Sequence, residues 1–138
     1  AADFVDGALL GKIASGFPFD GYMLWTGASP NQVALYINRA ALVVTSALSD
    51  GWHRIIATWD GTQLNLYVDG IPGTPVNYAV VPASSSKSFV IGGYSNVAIN
   101  DLLDEAIVLA RPWSAQEVTT DYANQNDPGA FWTTGPET

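Results

Sequence analysis

The chain has 138 residues, 48% of them hydrophobic and only 13% charged, so its polar surface must come mostly from Ser, Thr, Asn, Gln and Gly; this is a globular profile rather than a disordered one, and the length suits one domain. Thirteen acidic residues against five basic ones give a formal charge of −8, which argues against nucleic acid and anionic membranes as partners, because both need clustered cations and Lys12, Arg39, Arg54, Lys87 and Arg111 are scattered. Cysteine is absent, which removes disulfides and thiolate metal sites, and no apolar run suggests a membrane span or a signal peptide.

Short runs rich in Val, Ile, Leu and aromatic residues recur along the chain, separated by Gly, Pro, Asn, Asp and Ser. They fall at residues 8–14, 21–26, 32–38, 41–47, 51–59, 63–69, 88–92 and 102–110. This spacing predicts an all-β sandwich or barrel. The clearest turn signal is Asp60-Gly61, a dipeptide that accepts the positive φ angles of a hairpin. A loop of two or four residues places Ile55, Ala57 and Trp59 on the same face as Leu64, Leu66 and Val68, towards the core; a three-residue loop with a bulge changes that pairing. The opposite face then carries Trp52, Arg54, Ile56, Thr58, Gln63, Asn65 and Tyr67. One helix is predicted. Ser114-Ala115-Gln116-Glu117 has capping-box spacing, with Val118 and Tyr122 as its buried stripe. Residues 125–138 form an irregular tail, rich in Pro and Gly, which Phe131 and Trp132 are expected to hold on the domain.

Two blocks resemble a known family. The hairpin from Gly51-Trp52-His53-Arg54 through Trp59-Asp60-Gly61 to Leu66-Tyr67-Val68-Asp69-Gly70 is similar to the laminin G-like (LamG-like) domains of the concanavalin A-like lectin/glucanase superfamily. So is Leu103-Asp104-Glu105-Ala106-Ile107, which leads through Arg111-Pro112-Trp113-Ser114 to Glu117 and resembles that family's closing strand and helix. The resemblance spans about residues 9–124 and implies an antiparallel two-sheet jelly-roll sandwich with one short C-terminal helix. Family members open with one or two strands before the segment matching Leu10-Gly11-Lys12, one of which lies beside the closing strand. Only about nine residues stand there in this chain. Either residues 2–9 supply a shortened version or the sheet has an open edge, and unpaired edges recruit strands.

Several chemistries can be weighed on these residues. Laminarinases and lichenases share the fold, but their closely spaced carboxylate motif is missing: Glu105, Glu117 and Glu137 lie apart, and adjacent Asp104 and Glu105 point to opposite faces of a strand. His53 is the only histidine and has no Gly-x-Ser-x-Gly neighbour, which favours a structural role. No catalysis is expected. The resemblance implies a structural Ca²⁺ at Asp104, completed by backbone carbonyls from the start of the chain; the alternatives for Asp104 are an ion pair with Lys12 or Arg111, or hydrogen bonds to backbone N–H groups. The outward face of the hairpin offers Trp52, Arg54, Gln63, Asn65 and Tyr67 as an aromatic and polar platform for a sugar, against the plainer reading that Trp52 is sheet packing. Loops 17–21 and 92–96 are further candidates, with turn chemistry as their plainer reading. The expected function is a non-catalytic, extracellular recognition or adhesion module whose partner is a glycan or a surface protein. Its rival is a structural subunit of a virion, fibre or surface layer that associates through an open sheet edge.

Overall fold

A computed structural model of the chain describes residues 7–13, 20–26, 31–38, 40–94, 97–99 and 102–131. Among the described residues it contains eleven strands: β1 (Gly7–Ile13), β2 (Gly21–Thr26), β3 (Val33–Ile37), β4 (Ala40–Val44), β5 (Ile55–Trp59), β6 (Gln63–Val68), β7 (Ile71–Pro72), β8 (Val76–Asn77), β9 (Val90–Ile91), β10 (Gly93–Tyr94) and β11 (Val97–Ala98). Two helices follow, α1 (Ala115–Asn126) and α2 (Pro128–Phe131). The strands form a five-stranded sheet in the order β4-β3-β2-β1-β9 and a second sheet in the order β5-β6-β7, where β8 also pairs with β6; β10 and β11 make a small ribbon. Every pairing is antiparallel.

The two sheets meet through one apolar layer. Leu24, Val33, Leu35, Ile37 and Val43 from the five-stranded sheet pack in a cluster with Leu64 and Leu66 of β6. Alternation along the strands sends their neighbours to the other side, where Ala8, Ile13 and Met23 form a second buried cluster with Trp25 and Tyr36 against it. The five-stranded sheet is thus apolar on both faces, which explains why β2 and β3 read as nearly continuous hydrophobic runs. At the β1–β2 connection Gly21 lies at φ +114, and a Cβ there would fall 1.8 Å from the Lys12 carbonyl oxygen, so only glycine fits.

Register in the second sheet follows the even-loop expectation. Ile55 pairs with Val68, Ala57 with Leu66 and Trp59 with Leu64, and all six contribute to the core. The loop is tightened by Asp60, whose carboxylate accepts from the N–H groups of Thr62 and Gln63 and from the Thr62 hydroxyl. The stricter turn is the other Asp-Gly. Asp69 and Gly70 lie at φ +52 and +76 between the paired residues Val68 and Ile71, which is the left-handed pair a two-residue hairpin turn demands.

Helix α1 begins with the expected capping box. The Ser114 hydroxyl accepts from the Glu117 N–H while the Glu117 carboxylate accepts from the Ser114 N–H. Val118 is fully buried and Tyr122 lies against Gly70. The tail departs from expectation, since Pro128 starts the single turn α2, proline being well suited to a first helical position. The side chains of Phe131 and Trp132 lie outside the described residues, as do residues 1–6, most of the 17–21 loop and Ser95 and Asn96 of the 92–96 loop.

The largest departure concerns residues 102–110, expected as the closing strand. They belong to no sheet. Glu105 interrupts them at φ +51, a left-handed conformation that breaks strand alternation. Among the described residues, no backbone–backbone hydrogen bond joins residues 102–112 to another segment.

Candidate functional site

His53 and Asp69 form the best-defined polar cluster. The His53 Nδ1 stands 2.7 Å from an Asp69 carboxylate oxygen, and Nε2 stands 3.0 Å from the Ser49 carbonyl oxygen. The other Asp69 oxygen accepts from the Arg54 N–H at 2.9 Å, and the Asp69 N–H returns a bond to the Arg54 carbonyl. Asp69 thereby ties the entrance of β5 to the exit of β6. Both imidazole nitrogens face acceptors, so the ring is stabilised as its cation. The hydrogen bond to Asp69 raises its pKa most, partial burial opposes this, and the Ser49 carbonyl and the Asp69 charge add to the rise. The Ser49 hydroxyl lies 3.4 Å from Nε2, so Ser49, His53 and Asp69 have the connectivity of a nucleophile, base and orienting acid. Their chemistry differs. A ring whose Nε2–H already donates to the Ser49 carbonyl has no lone pair with which to take a hydroxyl proton.

Arg54 is committed as well. Its Nε donates to Asp121 of α1 at 2.8 Å, and one terminal nitrogen lies 3.5 Å from Glu105. Glu105 also accepts from Gln125 of α1. Further along, Arg111 grips Glu117 with both terminal nitrogens. That grip, together with the Ser114 N–H, holds the Glu117 carboxyl down to about 2.

Two cavities open along the free side of β5, where residues 102–113 stand opposite it. The larger, about 690 Å³, has an apolar floor of Leu9, Leu10, Leu24, Val33 and Leu48. Its rim carries Trp52, Asp104, Glu105, Gln125 and Asn126. The smaller, about 390 Å³, runs between β5 and residues 105–113 over Tyr22, Leu35 and Ile37. The two adjoin at Leu10, Leu24, Arg54, Ile55 and Glu105.

The structure does not bring the five expected sugar-contacting residues together on an open face. Tyr67 is only 6% exposed and its neighbour Thr58 is buried too, so the outward face of the hairpin is covered there. Gln63 is exposed, but it sits at the far end of β6 with Asn65, and its amide reaches Asn77. Arg54 is spent on Asp121 and Glu105. Trp52 is 68% exposed before β5 begins and shares the larger cavity with Arg54, away from Gln63, Asn65 and Tyr67. What sequence reasoning missed is the cavity rim, where Asp104, Gln125 and Asn126 come from segments more than 50 residues away from Trp52. No local pattern marks such a meeting.

Asp104 is exposed on that rim, and its carboxylate accepts from the N–H of Glu105. Among the described residues neither Lys12 nor Arg111 pairs with it; Arg111 is held by Glu117. Among the described residues no three His, Cys, Asp or Glu side chains converge. The resemblance draws the backbone carbonyls of a calcium site from the start of the chain, of which residues 1–6 lie outside the described residues.

Two packed antiparallel sheets, an apolar layer between them and a capped helix near the C-terminus define a jelly-roll-type β-sandwich. The chain belongs to the concanavalin A-like lectin/glucanase superfamily, with residues 4–119 matching a laminin G-type family of that superfamily. No individually curated protein matches the chain. A solved structure of an S-layer domain-containing protein from Clostridium thermocellum ATCC 27405 is similar at 18% identity and a TM-score of 0.48, over 88% of this chain. The chain spans 65% of the length of that structure. Among the described residues no helix is long and apolar enough to cross a membrane.

Proposed function

We propose that this chain is a non-catalytic recognition module that works outside the cell and binds carbohydrate at the mouth of its larger cavity. The observation that carries this reading is Trp52, a large aromatic ring 68% exposed beside a cavity of about 690 Å³ with a polar rim. A sugar ring stacks its C–H face on an aromatic ring and satisfies its hydroxyls with carboxylates and amides, here Asp104, Gln125 and Asn126. The titratable groups of the site are committed to structural contacts rather than to catalysis. His53 lies between two acceptors, Glu105 is held by Arg54 and Gln125, and glycoside hydrolysis needs a cooperating carboxyl pair.

The test is a glycan-array screen followed by calorimetry of any hit against wild type and Trp52→Ala. Binding at millimolar or tighter Kd that falls at least about tenfold in the variant supports the reading. A hit unaffected by Trp52→Ala, or no hit at all, sinks it. The second reading, a building block of a virion, fibre or surface layer, is favoured by the unpaired side of β5. Light scattering at several concentrations separates the two, since ordered assembly without any sugar signal belongs only to the second.

A further inference from the structure

We infer that the smaller cavity is a receiving slot for a β-strand, and that its occupant is an extended, apolar-alternating peptide segment without acidic residues, presented by another polypeptide. This concerns the far half of the seam from Trp52 and does not rest on the sugar reading.

Three observations carry it. First, both walls have free backbone hydrogen-bonding capacity. Among the described residues β5 pairs only with β6, and across the cavity residues 105–112, which belong to no helix or sheet, make no backbone–backbone hydrogen bond to another segment. Unpaired N–H and C=O groups are strong, directional partners for a strand and for little else. Second, the segment opposite β5 is apolar and about half exposed. Ile107, Val108 and Leu109 are 48%, 53% and 49% exposed, and all three line the cavity. Ile, Val and Leu in succession, each left about half in water, forgo burial that a covering strand would supply. Third, the floor between the walls is made of Leu10, Tyr22, Leu24, Leu35 and Ile37, so side chains at alternate positions of an inserted strand would enter the apolar layer.

Charge selects among possible strands. The chain carries −8 overall, and the two cations at the slot's ends are already taken, Arg54 by Asp121 and Glu105, Arg111 by Glu117. An acidic strand, or a second copy of this acidic chain, meets repulsion without a free cation at either end of the slot. A basic strand meets attraction, and a neutral one escapes the repulsion.

The probe is a fluorescent nine-residue peptide, Thr-Val-Lys-Val-Thr-Val-Lys-Val-Thr, capped at both ends and titrated against the full chain. Anisotropy reads binding, and hydrogen exchange reads which amides become protected. The expected result is saturable binding, with added protection confined to residues 55–59 and 105–110. A peptide with Glu for Lys binds at least tenfold more weakly, and one N-methylated along its backbone does not bind. Successive N–H groups of an extended segment point to opposite walls, so one of Ile107→Pro and Val108→Pro weakens binding at least tenfold while the other changes it little. Neither N–H has a partner among the described residues, so both variants should keep the wild-type melting temperature. The inference is overturned if the peptide fails to bind, if it binds without protecting those two stretches, or if residues 105–110 exchange as slowly as β6 in the free protein. It is equally overturned if their protection rises with protein concentration alone, which would make a second copy the occupant.

Discussion

Replacing Asp69 tests whether the turn and the histidine clamp act as one device. The Asp69 carboxylate holds His53 at 2.7 Å and the Arg54 N–H at 2.9 Å, and its backbone sits at φ +52. Asp69→Gly keeps a residue suited to that φ and deletes both hydrogen bonds. The charge-assisted one is worth about 1.5–3 kcal/mol and the other about 1, so a loss of about 3 kcal/mol is expected. Asp69→Ala loses the same bonds and adds left-handed strain of about 1–2 kcal/mol, which the flexibility of glycine in the unfolded chain narrows to a difference of about 0.5–1. Asp69→Asn tolerates the backbone and keeps an acceptor for Arg54, losing chiefly the charge. Urea melts followed by tryptophan fluorescence measure all three, and 3 kcal/mol moves the midpoint by about 1.5 M at a slope of about 2 kcal/mol/M. The sign of the pH dependence follows from the raised pKa of His53. A group whose folded pKa is raised contributes stability that is complete below its unfolded value near 6.5 and is lost as pH rises through the folded value. The Asp69→Asn deficit should therefore be larger at pH 5.5 than at pH 9. Equal deficits at both pH values, or none at pH 5.5, would refute the clamp.

Three further outcomes follow from the packing and the charges. Leu64 is fully buried between the sheets, so Leu64→Ala should cost about 2–5 kcal/mol in the same melts, and a loss under about 1 would mean that β6 is not the centre of the core. The Glu117 carboxyl, held down by Arg111 and then by the Ser114 N–H, should titrate near 2 by NMR. Its contribution to the helix cap is present above the unfolded value of 4.5 and fades as pH falls towards 2. Arg111→Gln should move the midpoint upwards, and a wild-type midpoint near 4.5 would deny the pairing. Asp104 is exposed and takes only the Glu105 N–H, so Asp104→Ala should change stability by less than about 1 kcal/mol in the presence of chelator. A calcium-dependent rise in wild-type melting temperature that the variant abolishes would show ligands converging there from outside the described residues.

Much of the fold was legible because its signals are local. The eight apolar runs announced strands through period and turn residues, and seven of them became strands. Ser114 and Glu117 announced the helix because a capping box is complete within four residues. The facing of β5 against β6 followed from parity alone, since any even loop gives it. The second Asp-Gly is equally visible in the sequence, but what no local pattern shows is that Asp69 also serves His53 and Arg54, which lead into β5. The candidate site was legible only as fragments. Trp52 advertised itself as an aromatic residue, yet the outward hairpin face it was assigned to is closed at Tyr67 and Thr58. Its actual neighbours on the cavity rim come from α1 and from residues 102–106, placed by packing that no window of sequence contains.

Residues 102–110 show why the missing strand and the cavities are one problem. Leu-Leu-Asp-Glu-Ala-Ile-Val-Leu-Ala has apolar residues of both parities, the pattern of a strand enclosed on both faces and paired on its edges. The described structure gives it a sheet edge opposite but not within bonding reach, and leaves Leu102 80% exposed. A segment of this pattern gains its burial only if something completes the sheet beside it. The gap runs beside β5, from the Trp52 end to Arg111. A partner that entered it would therefore meet the free edge of β5 and the Trp52 rim as one continuous surface.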